Sequence, residues 1–202
     1  MASSDTEIAN FALSHLGVSK PIGNLTTESS AEAVACRRFY ANTRDEMLRS
    51  FNWPFARQCV ALGLVESNPT DEWQFSYRYP SDCLMVRRMF NSIRNPTQKS
   101  AEKYWIARDA TGLLIYTDLD DASAEYTIRE EDVLRFPPDF VIALSYRLAS
   151  YVAPLITRGD PFKLAEKSVQ LYRLSSTTAA ANALNEQRRD EFPDPSLIEA
   201  RN

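Results

Sequence analysis

One histidine, five glycines and three cysteines are few for a chain of 202 residues, and each scarcity removes a class of chemistry. The single imidazole, His15, has no partner histidine with which to build a transition-metal site, and its place near the end of a short helix suits a structural role. With so little glycine there is no phosphate-cradling loop, and no nucleophile elbow occurs. Cys36, Cys59 and Cys83 are odd in number and widely spaced, so they suggest neither a disulfide framework nor a zinc knuckle. They read as small core residues and point to synthesis in a reducing cytoplasm. Nowhere do eighteen apolar residues follow one another, and the first residues lack a basic region leading into an apolar run. Neither export by a signal peptide nor a membrane span is therefore expected. The acidic turn Asp118-Leu119-Asp120-Asp121 lacks the glycine and the distant glutamate of a calcium loop, which leaves a solvated turn. No catalytic, metal or cofactor-binding residue is assigned.

What the chain does have is strong helical patterning at both ends. Ser29 and Glu32 form a capping box, which predicts a long helix beginning there. Ala33, Cys36, Tyr40, Thr43, Met47 and Phe51 recur at steps of three and four, opposite Arg37, Arg38, Asp45, Glu46 and Arg49. Asn52-Trp53-Pro54-Phe55 ends the helix, because proline lacks the donor and pushes its predecessor out of helical geometry. Phe51, Trp53 and Phe55 then form an aromatic cluster, which together with the Trp73–Tyr79 aromatics is expected to join helices to strands. Before this helix, Ser4 and Glu7 open a shorter one that stops at Gly17. After residue 136, the Pro137-Pro138-Asp139 entrance starts a helix that Pro154 kinks or ends, and Asp160-Pro161 starts another running to about Arg188.

Between residues 57 and 129 the period is two. Phe75 and Tyr77 alternate with Gln74, Ser76 and Arg78, and residues 83–90, 104–107, 113–117 and 125–129 are further strands. Gly112 is available for a hairpin turn. The expected class is α+β, an antiparallel helical bundle (residues 1–56 and 136–189) with an inserted small antiparallel β domain (57–135) and an extended C-terminal tail (190–202).

Charge is unevenly placed. Residues 78–108 hold seven basic and two acidic side chains, net +5, whereas residues 109–135 hold two basic and eight acidic, net −6, in a chain of net charge −4. Such segments either pair with each other inside the fold or attract the complementary face of a second copy, head to tail. Interface candidates are accordingly Arg87, Arg88, Arg94 and Lys99 on the basic side and Asp118, Asp120 and Asp121 on the acidic side. In the tail, Phe192, Leu197 and Ile198 are apolar anchors on a strip stiffened by Pro193 and Pro195, which suits docking on another polypeptide.

The chain resembles the head-to-tail adaptors of short-tailed bacteriophages, the family called tail tubular protein A. The resemblance lies in the run Ile8 to Gly17, in Ala33 to Ala56 with its terminal Trp53-Pro54-Phe55-Ala56, in Tyr79-Pro80-Ser81-Asp82-Cys83-Leu84, and in Phe136-Pro137-Pro138-Asp139-Phe140. It implies a homo-oligomer, a dodecameric ring in the virion between the portal protein and the tail nozzle protein. Tail fibres would attach to that ring and DNA would pass through it without sequence recognition. Two competing classes are a cell-wall hydrolase using Glu130, Glu131 and Asp132, and a DNA-binding accessory protein using residues 87–103.

Overall fold

A computed structural model of the protein describes residues 4–91, 102–160 and 162–186. The described residues are α+β: four helices, with two small antiparallel sheets between the second and third. Helix α1 (Asp5–His15) is capped by Ser4, whose hydroxyl accepts from the Glu7 N–H. It closes in a Schellman motif: Gly17 takes φ +76°, its N–H reaches the Ser14 carbonyl, and the Val18 N–H reaches that of Leu13. The loop after α1 is stitched down by side chains. Asn10 exchanges two hydrogen bonds with the backbone of Ile22, and the Arg37 guanidinium donates to the carbonyls of Leu25, Thr26 and Glu28.

Helix α2 (Ala31–Ser50) starts one residue later than the capping-box pattern predicts. Glu28 accepts a hydrogen bond from the Ser30 hydroxyl, and the Ser30 oxygen, not that of Ser29, accepts from the Ala33 N–H. The predicted apolar stripe is buried from Ala33 to Met47, with Ala35, Arg44 and Leu48 added to it. Helix α3 (Pro138–Ile156) is the central element: α1, α2 and α4 (Leu164–Asn185) all pack on it, and ten of its residues are buried. Its length and composition would let it cross a bilayer, yet here its apolar surface is the core of the helical part. Pro154 neither ends nor visibly breaks it, because a missing donor in the last turn costs one bond at most. Asp160 does announce α4, but from a distance: its carboxylate accepts from the N–H groups of Leu164 and Ala165.

Strands β1 (Arg57–Ala61), β7 (Ser123–Ile128) and β4 (Cys83–Phe90) form one sheet in the order β1-β7-β4. The other sheet runs β2-β3-β6-β5, from β2 (Leu64–Ser67) through β3 (Phe75–Arg78) and β6 (Leu113–Thr117) to β5 (Tyr104–Arg108). Inner-face residues of both sheets share one cluster, with Tyr77 and Ile115 from one sheet and Val86, Met89, Ala124 and Tyr126 from the other. Two structural expectations need correction. The aromatics Phe75 and Tyr77 belong to this second cluster and do not join Trp53. Cys59 is exposed on β1, while only Cys36 is fully buried.

The partners of Trp53 are instead Phe51, Phe55 and, from the far side of the β insertion, Phe140. Phe55 also touches Phe136 and Phe140, which touch each other. Phe51, Trp53 and Phe55 lie where the chain leaves the helices, and Phe136 and Phe140 where it returns, so one aromatic clasp closes the neck of the insertion. Trp53 is 2% exposed and its indole N–H donates to the Met47 carbonyl at 2.8 Å. Trp53→Ala should therefore lower unfolding stability by about 3–5 kcal/mol, the cost of deleting a large buried ring. Urea denaturation of the two proteins measures it, and a loss under about 1 kcal/mol would contradict the central role of this ring.

Candidate interaction surfaces

Arg87, on β4, is an internal bolt. Its Nε donates to Thr127 Oγ1 on β7, and its Nη2 donates to the carbonyls of Leu48, Arg49 and Phe51 at 3.2, 2.9 and 2.6 Å. Those carbonyls are orphans at the C-terminal end of α2, where the helix dipole also favours a cation. One guanidinium thus fixes the sheet to the helix end. Its neighbour Arg88 pairs at 2.9 Å with the buried Glu125, which also accepts from Asn52 just after α2. Arg78 forks onto Asp109, whose carboxylate also accepts from the N–H groups of Thr111 and Gly112 and shapes the β5–β6 turn. The Arg78 guanidinium, with the Thr111 hydroxyl next, holds the Asp109 carboxyl well below the usual range. Of the two oppositely charged segments, Arg78 with Asp109 and Arg88 with Glu125 are thus paired within one chain.

Asp118 accepts from the Gln74 N–H, and Asp120 accepts from the N–H of Asp121, which adopts φ +50° in the turn before β7. Arg94, Lys99, Phe192, Leu197 and Ile198 lie outside the described residues.

The carboxylates of the hydrolase alternative are spread over separate structural tasks. Glu130 is buried and takes Arg135 and the Asp132 N–H; Glu131 pairs with Arg44; Asp132 caps the 3-10 turn Val133–Arg135. Arg44, buried on α2, also meets Asp45, which meets Arg129, so the segment after β7 is tied to the helix by alternating charges. Among the described residues, no three of His, Cys, Asp and Glu are grouped to hold a metal ion.

His15 packs at the α1–α3 contact. Its ring stacks on Tyr146 with centroids 4.0 Å apart, and its Nε2 lies 3.0 Å from Ser145 Oγ. Ser145 Oγ also lies 2.7 Å from the Ile142 carbonyl; with its hydrogen donated there, it accepts from the Nε2–H tautomer of the neutral ring. Burial lowers the His15 pKa from 6.5. The sign follows: the unfolded chain binds this proton more readily. The contribution is complete above pH 6.5 and is lost as pH falls toward the folded-state value.

Two surfaces that periodicity did not single out remain open. On α4, Ser168 and Ala179 are the only buried residues, and from Leu174 to Asn185 there is no charge at all. Leu174 (69% exposed), Thr177, Thr178, Ala181 and Leu184 (57%) form an outward stripe. The Thr177 and Thr178 hydroxyls donate back to the carbonyls of Arg173 and Leu174, so the stripe is small and largely apolar. The second surface is a groove on the outer face of the four-stranded sheet, lined by Thr70, Asp71, Glu72, Trp73, Trp105 and Tyr116.

Two outcomes are expected. Arg87→Met should cost about 1.5–3 kcal/mol by urea denaturation, the range for hydrogen bonds to a charged group, and Arg87→Lys should restore little because an ammonium cannot fork. An NMR titration of the His15 ring should give a midpoint below 6.5; a midpoint at or above it would contradict the half-buried, neutral ring. No protein-family model matches the chain, and no curated protein does.

Proposed function

We propose that this chain is a structural head-to-tail connector of a short-tailed phage. Copies close into a dodecameric ring between portal and tail nozzle in the virion tail, with fibres attached to the ring and DNA passing through. The observation that carries this reading is α4, a 22-residue helix packed on one side, whose C-terminal half offers an uncharged, small-residue stripe on the other. A helix left half-naked in this way suits close packing against a second helix, as adjacent subunits of a ring provide. In this reading the four helices make an antiparallel bundle, the β insertion projects from it, and residues 190–202 are an extended tail reaching the portal or a neighbouring copy.

Other features support the same reading. The sequence resemblance runs through α1, α2, the β4 approach and the start of α3. The clasp and the Arg87 bolt hold helices and sheets together, as a load-transmitting joint requires. A chain of net charge −4 favours sliding of DNA over gripping it, since phosphate binding needs clustered cations. For a hydrolase, Glu130, Glu131 and Asp132 would have to abandon their present partners.

Leu174→Asp tests the reading. Leu174 is exposed, so the variant should fold and melt close to the unmodified protein. Electron microscopy of portal-bound protein should reveal closed heterologous rings for the unmodified chain and none for the variant. Isologous dimers or scattered monomers on the portal would overturn the proposal.

A further inference from the structure

The groove on the four-stranded sheet has a composition that neither the fold nor the ring explains. Trp105 stands on the edge strand β5, 63% exposed, directly across from Tyr116 on β6. On either side of that pair along the strands, residues turned the other way enter the β cluster, as Tyr104 and Ile115 do. Trp105 and Tyr116 therefore point outward. The third ring, Trp73, arrives on the β2–β3 loop, where the Thr70 hydroxyl accepts from the N–H groups of Glu72 and Trp73 and sets the turn. Beside the rings sit Asp71 and Glu72, both exposed and in no ion pair among the described residues. Among the described residues no cation lines the groove; Lys103, two residues before Trp105, is not part of the lining.

Three aromatic faces flanked by two unneutralised carboxylates are complementary to a planar cation. A guanidinium stacks on an indole and forks onto a carboxylate at once, which neither an ammonium nor a neutral hydroxyl does as well. We propose that this groove receives an arginine side chain from an exposed segment of a different protein, with the guanidinium over Trp105 and its N–H fork on Asp71 or Glu72. The chemistry of the guest follows from the lining alone. That the guest is a different protein rests on the proposed function, in which the stripe on α4 carries the contact between copies.

The test uses the full-length free chain at low salt, with the peptide acetyl-Gly-Arg-Gly-Arg-Gly-amide and its citrulline counterpart, followed through the indole N–H resonances. The arginine peptide should shift the Trp105 and Trp73 signals saturably, and the citrulline peptide should bind about tenfold more weakly or not at all. Trp105→Ala should weaken binding about 2- to 30-fold, the range of one cation–π contact. The pair Asp71→Asn with Glu72→Gln should weaken it severalfold and flatten its salt dependence. All these positions are exposed, so unchanged thermal melting separates lost binding from lost fold. Equal response to both peptides, or binding indifferent to these variants, would overturn the proposal. So would indole shifts with the neutral sugar chitotriose but none with the arginine peptide, which would make the groove a saccharide site. Self-association of the free chain that Trp105→Ala abolishes would assign the groove to a second copy and overturn it too. Portal-bound rings should form normally with Trp105→Ala, so failure of the ring and failure of this site are separate results.

Discussion

The aromatic clasp at the neck of the β insertion is the constraint on which the other features depend. An insertion between two helices is attached by two chain crossings, and unless these are tied together the inserted part swings on both. Phe51, Trp53 and Phe55 at the exit pack with Phe136 and Phe140 at the return, so the crossings share one core. Arg87 adds a directional tie that the rings cannot: it measures the distance from β4 to the last carbonyls of α2 in hydrogen bonds. Burial sets where the β part is attached, and the guanidinium sets its orientation.

Legibility in the sequence followed the strength of local signals. Helices α1, α2 and α3 were readable because caps, prolines and stripes agreed with one another, and Gly17 stops α1 where its spacing says it should. Strands β3 to β7 were readable to within a few residues. Strands β1 and β2 were not, since both are edge strands with mostly exposed residues and so carry no alternation. That the β part divides into two sheets was equally hidden, because pairing partners are remote: β1 pairs with β7, more than sixty positions away.

Function was harder to read because charge is ambiguous at the level of sequence. The basic and acidic segments suited either pairing inside the fold or attraction of a second copy, and Arg78 with Asp109 and Arg88 with Glu125 do meet inside one chain. Arg87 was legible as a cation and illegible as a helix cap, since its targets are backbone carbonyls 36 to 39 positions earlier. Open surface was instead marked by missing charge, in the twelve residues from Leu174 to Asn185. The side of α4 that packs on the core runs through Ala165, Tyr172, Ala179, Ala180 and Ala183. Alanine and threonine occur on both sides, so only the packing separates them.

The size of that stripe says something about how a ring of this kind would form. The twelve residues from Leu174 to Asn185 span roughly 18 Å of helix about 10 Å wide on one face, so the stripe offers on the order of 180 Å². Stable interfaces between independent proteins bury about 800 Å² per partner. At about 25 cal/mol per Å², 180 Å² from each side is worth on the order of 9 kcal/mol before costs. Lost translational and rotational freedom alone takes an estimated 4–15 kcal/mol or more, with side-chain ordering in addition. The stripe by itself therefore leaves little net affinity in free solution. When copies are already held side by side on a symmetric template, most of that freedom has been lost in binding the template, and the same stripe becomes an intramolecular contact at high effective concentration. In the proposed reading, a surface too small to assemble alone would still close a ring that something else had begun, so assembly would depend on the template and unattached copies would stay apart.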